Sequence, residues 1–129
     1  MREIKFRGKR VDNGGWVYGH LHVIDTLGYG YTGKAIQIQN GTSRPYSKTV
    51  DPATVGQYAG LHDKNGREIY EGDIVKFEDV IRGNKLSDVR FDEGMFLISD
   101  DRGEYYLVPL TNIAGDSEVI GNIYEKEAE

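Results

Sequence analysis

Two histidines in one predicted strand are the residues best suited to metal chemistry. His20 and His22 are two positions apart, so their side chains share one face of a strand, together with Trp16 and Tyr18. Asp25 follows closely. Two imidazoles and a carboxylate can together hold zinc or iron. Because a His-x-His pair arises easily by chance in a strand, half-exposed strand histidines are the favoured interpretation, and no cofactor is predicted.

A glycine-rich stretch has the spacing of a phosphate-binding loop. Gly28, Gly30 and Gly33 satisfy the G-x-G-x-x-G pattern, and Lys34 follows directly. That pattern binds phosphate when it opens a helix, because the first backbone amides of the helix then face the anion. Residues 35–41 instead alternate like a strand that ends in Asn-Gly. The stretch therefore predicts an aromatic hairpin loop rather than a nucleotide site.

Other sequence patterns that could indicate metal binding or catalysis lack the residues that such sites need. Asp63 opens a segment like the start of a calcium loop, but the positions that need Gly and Glu hold Glu68 and Ile74. A hairpin turn is the better interpretation. The chain has no cysteine, which excludes thiol nucleophiles, thiolate metal sites and disulfides. No serine lies in a nucleophile elbow. The residues thus predict a binding role rather than an enzyme.

Aromatic and basic residues are interleaved along the first half of the chain. Aromatic faces beside cations suit single-stranded nucleic acid, and Tyr, Trp and Arg also anchor protein interfaces. Many of these side chains would equally serve as core. The candidate binding residues are Arg7, Lys9, Trp16, Tyr18, Tyr58 and Tyr70.

The elements that would position these residues are short strands joined by glycine turns. Seventeen glycines lie between runs rich in Val, Ile and Tyr. Asn13-Gly14 predicts a hairpin between strands over residues 5–11 and 16–24. The best helix signal is a turn that opens at Asp51-Pro52. The predicted fold is mainly β with at most one short helix. It has a hairpin-rich part over residues 1–67 and an SH3-like barrel with an acidic tail over residues 68–129.

Charge divides at the same place. Residues 1–67 carry 10 Lys and Arg against 5 Asp and Glu, and residues 68–129 carry 6 against 16. This asymmetry indicates either a nucleic-acid surface or the steering of one half onto the other, within a chain or between subunits. The net charge of −5 counts against nucleic acid. Apolar runs are too short for a membrane span, so no membrane partner is expected. Exposed edge strands predict a homo-oligomer.

Four segments together resemble the YopX family of proteins encoded by phages and prophages. They read REIKFRGK at residues 2–9, WVYG at 16–19, TVGQYAGLHDKNGREIYEGDIV at 54–75 and EVIGNIYE at 118–125. The resemblance implies a mainly β protein in the cytoplasm of a bacterial host, and it implies no reaction. The expected function is a non-enzymatic protein-interaction or assembly module with a host or phage protein as partner. The alternative is a nucleic-acid-associated protein that uses the basic, aromatic half.

Overall fold

The computed structural model describes residues 3–25, 34–40, 46–79, 83–92, 94–99 and 107–125. Over these residues the chain forms twelve β-strands and three single-turn 3-10 helices, and no α-helix. The chain divides into two compact units, Met1–Gln57 and Tyr58–Glu129. The predicted mainly β class is confirmed. None of the helices in the described ranges is long and apolar enough to cross a membrane.

The first unit is an antiparallel sheet that curls until two of its strands meet. Its strands are β1 (Phe6–Lys9), β2 (Trp16–Asp25), β3 (Lys34–Asn40) and β4 (Tyr46–Val50), and β5 (Gly56–His62) begins beside β1. The strands pair in the order β4-β3-β2-β1. Arg10, just beyond β1, forms an antiparallel bridge with Val50 at the end of β4. The amide of Val11 donates to the carbonyl of Thr49 at 3.1 Å.

The hairpin turn predicted between β1 and β2 is present. Gly14 has φ of +72°, a conformation that glycine adopts without the steric cost that a Cβ would bring. The Gly14 amide donates to the Arg10 carbonyl at 3.0 Å, and the Arg10 amide donates to the Gly15 carbonyl at 2.7 Å. The Asn13 side chain accepts from the Gly15 amide at 2.8 Å. The turn therefore sets the register of the hairpin.

The inner face of the curled sheet forms a small core. Val17, Ile38 and Val50 are buried there, and Phe6, Leu21 and Val55 pack against them. Gly8 lies directly beside Val50. A Cβ built on Gly8 would lie 2.9 Å from both Cβ and Cγ2 of Val50, which is closer than such atoms pack. Close approach of the curled strands therefore requires glycine at position 8.

The helical turn predicted at Asp51-Pro52 is a 3-10 turn, Pro52–Thr54. The Asp51 carboxylate accepts from the Ala53 amide at 3.0 Å, and Pro52 occupies the first position of the turn. The prediction of at most one short helix is wrong in number. Two more single turns, Leu110–Asn112 and Ala114–Asp116, follow the strand Leu107–Pro109. They lack a side-chain cap, so no local signal of the kind found at Asp51 marks them.

The second unit continues with seven strands in the described residues: β6 (Glu68–Tyr70), β7 (Asp73–Asp79), β8 (Gly83–Asp88), β9 (Arg90–Asp92), β10 (Met95–Ser99), β11 (Leu107–Pro109) and β12 (Glu118–Asn122). β6 pairs with β5, and the others form two three-stranded antiparallel sheets with the orders β12-β7-β8 and β11-β10-β9. Within the described residues these pairings do not close a barrel. The core includes Ile69, Val75, Val89, Ile98 and Leu110.

The boundary between the units follows Gln57, whereas the sequence analysis placed it after residue 67. Long-range hydrogen bonds join residues 58–67 to the second unit. The Asp63 carboxylate accepts from the Val119 amide at 2.9 Å, and the Lys64 amide donates to the Ser117 carbonyl at 2.9 Å. With this boundary the first unit carries 8 Lys and Arg against 4 Asp and Glu, a net +4, and the second carries 8 against 17, a net −9.

Candidate binding surface

The outer face of β2 presents a row of four aromatic side chains. Trp16, Tyr18, His20 and His22 alternate along the strand with residues that face the core, so they share one face. Tyr18 is 43% exposed, and the two histidines are exposed as well. Trp16 is half-buried. The sequence analysis placed the same four side chains on one face.

Strand β1 adds two cations to this face. Arg7 lies opposite Tyr18, and Lys9 lies opposite Trp16. The guanidinium carbon of Arg7 is 4.9 Å from the centroid of the Trp16 ring, within the range of a cation–π contact. Arg7 is only 3% exposed, so its role is to hold the ring from below rather than to meet solvent. We call Arg7, Lys9, Trp16, Tyr18, His20 and His22 the aromatic face.

The polar character of the face continues onto the next two strands. Gln37 on β3 lies opposite His22. Its side-chain amide donates to the Thr49 hydroxyl on β4 at 3.1 Å. The face is thus supported by four strands whose register is fixed from the other side by the small core. Such a surface is preorganised, because its side chains project from paired strands rather than from loops.

Within the ranges that the structure describes, the histidine pair is not part of a larger group of metal-ligand residues. No group of three or more His, Asp, Glu or Cys residues in the described part of the chain could hold a metal ion. Asp25 ends β2, opposite Lys34 in register, and its side chain lies outside the described residues. The glycine-rich stretch from Gly28 to Gly33 lies outside them too.

Two predicted aromatic binding residues are interior, as the guanidinium-bearing Arg7 is. Tyr58 and Tyr70 are 4% and 2% exposed and lie opposite each other on β5 and β6. Their ring centroids are 5.4 Å apart, and the Tyr70 hydroxyl donates to the Glu68 carboxylate at 3.2 Å. The structure therefore brings together Arg7, Lys9, Trp16 and Tyr18 in one hairpin, and it buries Tyr58 and Tyr70. Strand alternation could group the first four, but which face of β5 is buried depends on non-local packing.

Asp63 has a larger structural role than the sequence analysis gave it. One carboxylate oxygen accepts from the amides of Asn65 and Arg67, both at 2.9 Å, and the other accepts from Val119. Burial alone would raise the pKa of Asp63. The three amides and the positive charge of Arg67 outweigh burial and lower the pKa below its ordinary value. The Asp63 carboxylate thus accepts hydrogen bonds from backbone amides. Its role here is to stabilise the turn, and not the calcium binding that a calcium loop would require.

An ion pair whose two pKa values are both shifted lies on the β1–β2 hairpin. Arg10 donates to both carboxylate oxygens of Asp12, at 2.9 and 2.7 Å. These hydrogen bonds lower the pKa of Asp12 and raise that of Arg10. Both groups lie at the surface and pair within the turn, so their pKa shifts have a local structural cause.

The chain is thus an antiparallel β protein, and its best-supported candidate binding site is the outer face of a sheet. The chain belongs to the YopX family, because the model of that family, described as YopX protein, matches residues 5–128. Its fold is similar to that of protein EF1440 from Enterococcus faecalis, with a TM-score of 0.52 and 20% sequence identity over 95% of this chain and 94% of that one. No curated protein matches the chain.

Proposed function

We propose that this chain is a non-enzymatic protein-interaction or assembly module that binds its partner through the aromatic face. One observation carries the proposal: Trp16 and Tyr18 lie side by side on a rigid sheet face, with Lys9 and Arg7 opposite them. Tyr, Trp and Arg are the residue types that dominate binding energy at protein interfaces. Amphipathic rings also provide a large contact area at low cost in side-chain entropy.

A binding role also fits the electrostatics better than catalysis does. Catalytic groups usually stand out by pKa shifts that arise within a cleft. Asp12 and Asp63, two carboxylates of the described residues with lowered pKa values, both belong to turns in which hydrogen bonds explain the shift. In the family context we further propose a phage or prophage origin and action in the bacterial cytoplasm. We also propose that residues 68–124 have an SH3-like arrangement of strands.

The test is capture of a partner from the bacterial host by the tagged protein and by a Tyr18→Ala variant. Tyr18 is 43% exposed, so its truncation should leave folding almost unchanged and weaken partner binding at least about tenfold. Val11→Ala is the matched control, because Val11 is 63% exposed and lies on the hairpin turn, away from the aromatic face. Equal capture by wild type and both variants would refute the proposed surface.

Single-stranded nucleic acid is the second candidate partner. The observation in its favour is that Lys9 lies opposite Trp16, beside Tyr18, on one face of a unit with a net charge of +4. Rings of this kind stack on bases, and cations contact phosphates. If single-stranded nucleic acid is the partner, an unstructured oligonucleotide should quench Trp16 fluorescence. Its affinity should fall by a factor on the order of ten or more between 50 and 200 mM salt. Unchanged fluorescence at low salt would exclude it.

A further inference from the structure

The second unit exposes an apolar surface of its own, on the outer side of the β12-β7-β8 sheet. Glu118, Lys76 and Leu86 are aligned across this sheet. Leu86 is 56% exposed. The next residues along the three strands, Val119, Val75 and Ser87, are buried. An antiparallel sheet normally presents polar side chains on its solvated face, so an exposed leucine in this row breaks the alternation.

Two isoleucines extend the surface. Ile74 lies two residues before Lys76 on β7, so it shares the outer face, and it is half-buried. Ile120 lies at an irregularity of the β12–β7 register between Val119 and Gly121, and it is 48% exposed. We call Ile74, Leu86 and Ile120 the apolar face; these three side chains lie around the exposed Lys76 at the middle of the sheet. Exposed apolar surface with a polar rim is typical of interaction sites.

The two units carry opposite net charges. The first has +4 and the second −9. A contact between the first unit of one molecule and the second unit of another therefore brings opposite net charges together, whereas the two like-with-like contacts bring together net charges of the same sign. Charge complementarity of this kind steers encounter and selects orientation, while the apolar side chains supply the contact.

We infer that the partner of the aromatic face is the apolar face of a second copy of this chain. The inference rests on the proposed function, because it names the partner of that same surface. Trp16 and Tyr18 of one copy pack on Ile74, Leu86 and Ile120 of the next. Because the two surfaces differ, the contact is head-to-tail, and each chain offers one surface of each kind. A protein that associates with further copies of itself through these two surfaces acts as an assembly module.

The experiment is sedimentation equilibrium across a concentration series, with wild type, Tyr18→Ala and Leu86→Glu. Wild type should show a mass of two or more chains at tens of micromolar, and association should weaken as salt rises. Each variant alone should associate at least tenfold more weakly. Met95→Glu is the control for a charge added to the second unit, since Met95 is 46% exposed and lies on β10, in the other three-stranded sheet of that unit. It should associate like wild type.

Mixing the two weakened variants gives the decisive result. Tyr18→Ala retains an intact apolar face, and Leu86→Glu retains an intact aromatic face, so an equimolar mixture should recover association that neither variant shows alone. If wild type associates but the mixture does not, or if either variant alone associates like wild type, the contact does not join these two surfaces and the inference is wrong. Circular dichroism of each variant identifies any loss of folding, in which case Leu86→Ser and Tyr18→Ser replace them.

Failure of this inference is distinguishable from failure of the proposed function. A wild-type protein that is monomeric at tens of micromolar overturns self-association. The proposed function then survives if a different protein is captured in a Tyr18-dependent way. It fails together with the inference if neither association nor capture depends on Tyr18.

Discussion

Replacing Asp63 with alanine is expected to destabilise the second unit by about 3 kcal/mol. The substitution removes the acceptor for three backbone amides, those of Asn65, Arg67 and Val119. The bond to Val119 is buried, so that amide would lose its partner without gaining water. Urea unfolding followed by circular dichroism measures the change. A variant as stable as wild type, within about 0.5 kcal/mol, would show that the carboxylate is dispensable.

Asp63→Asn is the matched control for this prediction. The amide oxygen can still accept from Asn65 and Arg67, but its NH2 group would face the Val119 amide, donor against donor. We therefore expect a loss of stability smaller than that of the alanine variant.

The pH dependence of stability distinguishes the Asp63 carboxylate of the wild type from the amide of Asp63→Asn. Because the folded pKa of Asp63 is lowered, its contribution is complete above the unfolded pKa of about 3.9 and is lost as the pH falls through the folded pKa. Wild type should therefore lose more stability than Asp63→Asn on acidification from pH 5 to pH 2.

Gly8→Ala is expected to destabilise the first unit by about 2 kcal/mol. The added methyl group would lie 2.9 Å from Cβ and Cγ2 of Val50, and Val50 is 1% exposed and cannot move aside. The effect comes from space alone, because Gly8 is not among the glycines with positive φ. Thermal unfolding monitored through Trp16 fluorescence reports on this unit directly.

Two further variants test the cause. A Cβ at Gly115 would meet nothing within 4 Å, so Gly115→Ala should have little effect. Val50→Ala in the Gly8→Ala background removes the Cγ contacts, so the double variant should be more stable than the sum of the single losses predicts. Additive losses would mean that the two side chains do not compete for the same space.

Local signals in the sequence predicted those parts of the fold that neighbouring residues determine. Asn13-Gly14 gave the hairpin, Asp51-Pro52 gave the capped turn, and alternation along β2 grouped Trp16 with Tyr18. Each of these depends on residues that are close in the chain. They were sufficient for most of the aromatic face, because that face is built from one hairpin.

Long-range pairing determined what the sequence analysis missed. The bond from Val119 to Asp63 joins residues 56 apart, and it ties the 58–67 segment to the second unit. The Arg10–Val50 bridge joins positions 40 residues apart, and it explains why Gly8 lies against Val50. Tyr58 and Tyr70 have the composition of a binding site, but the pairing of β5 with β6 buries both rings. No periodicity within one strand could reveal such contacts.

The shared carboxylate of Asp63 has a consequence for local opening of the chain. The amides of Asn65, Arg67 and Val119 all donate to it, so none of the three hydrogen bonds can be released independently by movement of that side chain. Hydrogen exchange at these amides should therefore occur through one common opening event, although they lie in two distant segments. The turn and the last strand would then belong to a single cooperative unit of unfolding.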